Sequence, residues 1–170
     1  MATITTTGRL RLREFGFEDA AFVRELLNDP DFITHIADRG VRSTADAERY
    51  LAEGPMTSYA RHGFGLWLVE ALADGTPAGM CGLIRREGLS DPDIGYAFLP
   101  AFRGAGYARE AARATCSLAR SRFGIERLLA IVNPGNAASI RLLQDLGFGD
   151  EGTVRLQPEA SALRLFALAP

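Results

Sequence analysis

The sequence predicts one mixed α/β domain of the α+β kind, with about seven strands flanked by about four helices. Three observations carry that expectation. Apolar residues switch between a two-residue and a helical period along the chain, and the later half runs strand, helix, strand, helix. No repeat, low-complexity block or Pro/Gly-rich linker divides residues 1–170, so they form one continuous domain. A globule of this length buries roughly 70 % of the surface its unfolded chain exposes, enough for a substantial core.

The elements follow in order. Leu10, Leu12 and Glu14 alternate with Arg9, Arg11 and Arg13, the period of a half-exposed strand. Glu18 to Asn28 carries Ala21, Phe22, Leu26 and Leu27 at helical spacing, and the cluster Asn28-Asp29-Pro30 ends that helix. Ser43 or Thr44 caps a second helix whose apolar stripe is Ala47, Tyr50, Leu51 and Met56. The apolar runs 64–73 and 77–85 are joined by Asp74-Gly75-Thr76, a hairpin turn, and the run 94–99 ends at Pro100. These three strands make an antiparallel meander. A long Ala-rich helix from about 106 to 122, a buried strand at 127–132, a helix at about 137–146 and strands near 148–156 and 163–168 complete the chain.

Composition excludes several function classes. A net charge of −2 and a pI near 5.7 provide no basic field for a polyanion, so no nucleic-acid partner is expected. Cys81 and Cys116 lack the spacing of a disulfide framework or a zinc site, so both are expected to be buried thiols in a reducing compartment, with no metal. Met1 to Gly8 is Thr-rich without an apolar stretch of signal-peptide length, and no run approaches the ~20 apolar residues of a membrane span. A cytoplasmic protein without a membrane partner is expected.

The segment Phe98-Leu99-Pro100-Ala101-Phe102-Arg103-Gly104-Ala105-Gly106-Tyr107-Ala108 runs from a strand end into the long helix. Gly104, Ala105 and Gly106 have little side chain to block approach, so successive backbone N–H groups can point at phosphate oxygens while the helix dipole favours negative charge. Arg103 can add a charge-assisted contact. Glycines before a helix also make plain tight turns, so the loop alone does not decide between the two. A triphosphate P-loop needs Lys then Ser or Thr after its last Gly, and Tyr107-Ala108 stands there instead. A dinucleotide fingerprint counted from Gly104 needs Gly or Ala at position 109, which is Arg.

What Arg103 to Ala108 does match is Arg-x-x-Gly-x-Ala, and in this it resembles the pyrophosphate loop of the GNAT acetyltransferase superfamily. Asn133-Pro-Gly-Asn136-Ala-Ala-Ser139-Ile-Arg141, continuing to Gly147-Phe148, is similar to the family's second cofactor segment. Gly8 to Arg13, Glu18-Asp19-Ala20, Asn28-Asp29-Pro30 and Asp93-Ile94-Gly95-Tyr96 resemble the branch that acetylates ribosomal-protein N-termini. The resemblance covers nearly the whole chain. It implies a central twisted mixed sheet whose fourth and fifth strands splay apart, with acetyl-CoA as co-substrate in the gap. Main-chain groups of Phe98 and Leu99 would bind the pantetheine arm, the amides of Gly104, Ala105, Gly106, Tyr107 and Ala108 the pyrophosphate, and Asn133, Asn136 and Ser139 the arm from the other side.

An amine is protonated near neutrality, so attack on a thioester requires a base, an oxyanion donor and an acid for the departing thiolate. The resemblance points to Asp93 as the base acting through water. The same residue, with Asp91, also fits a solvated turn, and Glu70 is the reserve. Many GNAT enzymes place a Tyr acid where this chain has Leu143. Ser139 is the nearest protic side chain on that helix, and it equally fits a backbone or cofactor contact. His35 and His62 read as surface residues, and Trp67, Tyr96 and Phe98 as strand packing.

The expected activity is transfer of acetyl to a primary amine, either a protein N-terminus or a small molecule. A catalytically silent CoA-binding sensor is the alternative that Leu143 favours, and a dehydrogenase-like nucleotide domain is a weaker one. The resemblance places acceptor recognition around Ala37 to Arg42 and Arg155 to Ser161, where Asp38 and Arg39 leave the preferred charge open. A homodimer is the default assembly for a soluble enzyme of this size.

Overall fold

Alternation builds the first half of the sheet. In the computed structural model β1 (Thr3–Thr6), β2 (Leu10–Arg13), β3 (Leu66–Ala71), β4 (Pro77–Ile84) and β5 (Asp93–Phe98) pair antiparallel in sequence order. β6 (Leu128–Val132), β7 (Gly149–Val154) and β8 (Leu163–Leu168) complete the sheet, with β8 inserted between β6 and β7. The structure describes residues 1–169, and among them these eight strands form one sheet. The helices are α1 (Ala20–Leu27), α2 (Pro30–His35), α3 (Thr44–Leu51), α4 (Thr57–His62), α5 (Tyr107–Ser121) and α6 (Ala137–Asp145). None among the described residues is long and apolar enough to cross a membrane.

The period of two in the strands sends alternate side chains to two cores. On one face Trp67, Val69, Cys81, Leu83 and Phe98 pack against Ala111 and Ala112 of α5. The small α5 side chains let that helix lie close to the sheet, and buried Thr115 satisfies its hydroxyl on Cys81 Sγ at 3.3 Å. On the other face Leu68 and Met80 pack beneath Val23, Leu26, Leu27 and Leu51 of α1 and α3. Each fully buried Leu there contributes about 1.5–3 kcal/mol of transfer free energy.

Four local outcomes differ from the sequence expectation. β1 adds a strand where Thr3 to Thr6 shows no apolar alternation, because an edge strand needs only pairing with β2. Pro30 opens a helix rather than only ending one: it sits in the first turn of α2, with Asp29 Oδ2 accepting the Phe32 N–H at 3.3 Å. Ser43 caps α3 through a reciprocal bond with Asp46, but the helix does not run straight to Met56. Buried Pro55 has no N–H to continue it, and a wide π-helical turn over Ala52–Met56 leads into α4. Cys116 is half-buried, unlike Cys81, and both thiols are free.

The meeting of β5 and β6 positions the site. These strands are parallel and pair only at Asp93 and Leu129, where the Leu129 amide donates to Pro92 O at 2.9 Å. From Leu128 to Val132, β6 bonds to β8 along its other edge. β5 continues alone on that side, so a wedge opens beyond Asp93.

Candidate active site

The antiparallel ladder with β4 decides which β5 backbone groups face the wedge. Phe98 lies opposite Gly79, and the Leu99 amide donates to Ala78 O at 2.9 Å, which makes Phe98 and Gly79 a non-hydrogen-bonded pair. By alternation the main-chain groups of Tyr96 and Phe98 turn away from β4 and toward the gap. Leu99, expected to bind the pantetheine arm, has its amide taken by β4. The Phe98 carbonyl accepts from Arg103 Nε at 3.0 Å, leaving its amide for a ligand. Tyr96, read from the sequence as packing, supplies both of its main-chain groups.

At the mouth of the wedge the chain makes a donor cradle. Gly104 and Gly106 adopt φ of +79° and +83°, the left-handed region that glycine enters without strain. A Cβ at Gly104 would meet nothing within 4 Å, so the loop is open to an incoming group. Gly106 caps α5 without any side-chain hydrogen bond, and the first helical bond is Glu110 N to Gly106 O at 3.0 Å. The amides of Tyr107, Ala108 and Arg109 therefore point out of the helix end with its positive dipole behind them. Those of Gly104, Ala105 and Gly106 have no acceptor among the described residues. This donor set fits a pyrophosphate.

Arg103 is committed elsewhere. Its guanidinium pairs with Asp29 and, at 2.6 Å, with Asp31, tying the loop to the start of α2 rather than presenting a cation to phosphate. Arg9 braces the loop instead, donating to Ala105 O at 3.0 Å and lying over the Tyr107 ring at 4.1 Å.

A cavity of about 630 Å³ runs from this loop along Tyr96 and Phe98 to α6. A second, of about 340 Å³, lies behind it and takes in Asp93, Asn133 and Leu143. Phe32, His35, Ile36, Tyr96, Asn136 and Ser139 line both, so the wedge connects the two. Asn136 Oδ1 caps α6 on the Ser139 amide at 3.2 Å, and Asn133 Oδ1 accepts from Gly135 N at 2.9 Å. Their Nδ2 groups remain as donors. Leu143 is 1 % exposed and carries no proton into the cavity.

A hydroxyl pair stands where that proton is missing. Tyr96 Oη and Ser139 Oγ are 2.6 Å apart across the wedge. Burial pushes the Tyr96 phenol up to about 12, with the Ser139 bond pulling slightly the other way, so Tyr96 keeps its proton at neutral pH.

Asp93 sits at the closed end of the wedge with 1 % exposure. Arg86 grips it with both prongs, Nε to Oδ1 at 2.8 Å and Nη2 to Oδ2 at 3.0 Å. Burial raises its carboxyl from 3.8 to about 6, and the Arg86 guanidinium opposes that rise. It does not solvate a turn. Glu70, the reserve base, faces neither cavity: Arg11 Nε at 2.5 Å and Arg13 Nε at 3.1 Å hold it between β2 and β3. His35, expected to be a surface residue, lines both halves of the wedge.

Residues 9–149 match the acetyltransferase (GNAT) domain family. The chain belongs to the GNAT acetyltransferase family. This GNAT acetyltransferase is an acyltransferase, and its relatives carry that description unevenly. YkkB of Bacillus subtilis (strain 168), an uncharacterised protein, is 31 % identical over 156 residues, 90 % of this chain and 89 % of YkkB. YnaD of the same organism, an uncharacterised N-acetyltransferase, is 28 % identical over 147 residues, covering 86 % and 83 %. Among solved structures, an acetyltransferase from Agrobacterium tumefaciens str. C58 superposes with a TM-score of 0.83 at 19 % identity, over 100 % of this chain and 95 % of that one. RimL, a ribosomal L7/L12 α-N-protein acetyltransferase solved in complex with coenzyme A, gives 0.83 at 18 %, over 99 % and 98 %. At such identities the likeness is one of fold.

Within the GNAT acetyltransferase, Asp93, Phe98, Asn133, Asn136, Ser139 and the Gly104 to Ala108 loop converge on the wedge, while Leu99 is not among its walls and Arg103 lines it with its guanidinium already paired to Asp29 and Asp31. Tyr96 and His35 join them on its walls although neither stands out as a site residue in the sequence. The signal for Tyr96 is the two-residue period, which puts it and Phe98 on the same side of β5.

Proposed function

We propose that this GNAT acetyltransferase moves the acetyl group of acetyl-CoA to a primary amine, either a protein N-terminus or a small molecule. The observation that carries this reading is the run of free amides at Gly104 to Arg109 opening directly into the wedge where the Tyr96 and Ser139 hydroxyls meet. Pyrophosphate fits the amide cradle, and an extended arm fits between the Phe98 amide and the Asn133 and Asn136 donors. The thioester then lies near the hydroxyl pair, and the amine enters through the second cavity, toward Asp93.

The chemistry follows from the groups present. Asp93, ionised above about pH 6, takes a proton from the entering ammonium through water. The freed nitrogen lone pair attacks the thioester carbon and a C–N bond forms, the nitrogen sheds its second proton to the same water and on to solvent, and the C–S bond breaks. Ser139 gives its proton to the departing thiolate and recovers one from Tyr96, which exchanges with solvent. The Tyr96 phenol does the work that a Tyr at position 143 would do, which weakens the reading of the chain as a silent CoA sensor.

Release of coenzyme A from acetyl-CoA across a panel of amines and short peptides tests the proposal. Amine-dependent release that falls at least tenfold in Ser139→Ala and Asp93→Asn is expected. Acetyl-CoA binding with no amine-dependent release from any acceptor would return the protein to the sensor reading.

A further inference from the structure

The second cavity does not end at the wedge. Through Arg39, Tyr50, Leu66, Ile84 and Arg86, which line both, it continues into a third hollow of about 320 Å³ beneath α4 and the π-helical turn. The walls of that hollow bring together Arg39, Arg61, Arg85, Arg86 and His62 against a single acid, Glu53. Arg86 is neutralised by Asp93. Among the described residues Arg39, Arg61 and Arg85 make no ion pair or side-chain hydrogen bond, whereas Arg9, Arg11, Arg13, Arg103, Arg127 and Arg164 all do.

Charge in the recognition loop has been sorted. Asp38 turns away from the cavities, bonded to Arg42 at 2.7 Å and to the Gly40 amide at 2.9 Å. Arg39, its neighbour, lines both hollows. The effect reaches Tyr50, whose phenol is raised by burial while Arg39 and Arg86 pull it down. All 19 basic side chains of the chain are arginines, so each free cation here is a planar fork suited to a carboxylate. On a protein whose net charge is −2, three unpaired guanidinium groups in one concavity make a local positive field at the far end of the amine's path.

We infer that the acceptor carries a carboxylate a few bonds beyond its amine: the amine reaches toward Asp93 while the carboxylate is held among Arg39, Arg61 and Arg85. This rests on the acetyl-transfer reading for the direction of the amine, and names its substrate class. The cations are exposed, so each contributes up to about fivefold, and sodium chloride weakens the effect.

The test compares tetrapeptides Ala-Glu-Ala-Ala and Ala-Ala-Glu-Ala with their Gln counterparts, and free glutamate with glutamine. Wild type is expected to favour the acidic member by about tenfold in kcat/KM at low salt, from up to about fivefold per cation, with the ratio declining at 0.5 M sodium chloride. The ratio approaches one in Arg39→Gln/Arg61→Gln and survives in Arg113→Gln/Arg120→Gln, an equal charge change on exposed positions of α5. Whichever arm, peptide or amino acid, shows the ratio identifies the source of the carboxylate. A wild-type ratio near one, or a ratio unmoved by the double variant, overturns the inference. If no acceptor is turned over, equilibrium binding of the same peptides, fluorescently labelled at the C-terminus, decides it. An acid preference lost in the double variant then supports the carboxylate site while transfer fails, and equal binding of both members overturns it.

Discussion

Replacing Asp93 with Asn keeps the shape of the side chain and removes one buried charge, so its consequences can be worked from the wedge. The folded carboxyl titrates at about 6 and an ordinary one at 3.8, so the interval is 6 − 3.8, roughly 2 pH units, and at about 1.4 kcal/mol per unit it amounts to about 3 kcal/mol. The sign follows from which state holds the proton. Below about pH 4 the group is protonated folded and unfolded; between roughly 4 and 6 the folded form keeps a proton that the unfolded form has lost; above that both are ionised. Its contribution is therefore fully present at low pH and lost as pH rises through about 6. Urea unfolding of wild type and Asp93→Asn from pH 4 to 7.5 should show the wild type losing about 3 kcal/mol relative to the variant across that window. Arg86 has 26 % of its side chain exposed, so water can solvate its guanidinium when its partner is neutral, and the variant is expected to fold. In the same buffers the wild-type kcat/KM should rise with an acid limb near pH 6, and the variant should lie about 100-fold or more below the plateau. A wild-type minus variant difference that stays flat with pH would refute the burial argument, and a variant keeping more than about a third of the activity would refute the base assignment.

Tyr96→Phe and Ser139→Ala should each lower kcat about tenfold or more, with the double variant little worse than the worse single, because they serve one proton path; independent, multiplicative losses in steady-state rates would count against the relay. Gly106→Ala forces a left-handed conformation on a residue with a Cβ, costing about 1–2 kcal/mol, and should raise the KM for acetyl-CoA while leaving chemistry at saturation within a few fold; an unchanged KM would mean the cradle is not used. Arg103→Gln should destabilise by about 1–3 kcal/mol through the unpaired Asp29, which is 8 % exposed. Acetyl-CoA affinity, read by titration, should then stay within threefold, since that guanidinium faces acids and not phosphate.

The strand and helix order was legible because each element has a clear period, and the loop from Gly104 to Ala108 was legible because only small residues allow backbone amides to converge. What local pattern could not express was pairing over distance. Arg103 reads as a phosphate cation until α2 brings Asp29 and Asp31 against it. Tyr96 reads as packing until the β5 and β6 strands part and Ser139 arrives from α6. Glu70 reads as a base until Arg11 and Arg13 of the neighbouring strand close on it. Thr3 to Thr6 shows no strand period of its own, because an edge strand is defined by its partner and not by its own hydropathy.

Binding of acetyl-CoA in the wedge is read most simply by thermal unfolding with acetyl-CoA, coenzyme A, NAD and ATP added separately. A ligand at 100 times its Kd stabilises the native state by about 2.7 kcal/mol, which for a chain of this length raises Tm by about 5–10 °C. That rise is expected with acetyl-CoA and coenzyme A, none with NAD, less with ATP, and its loss in Gly106→Ala. An unchanged Tm with both CoA species, or an equal rise with NAD, would contradict such binding and leave Gly104 to Ala108 as a structural turn.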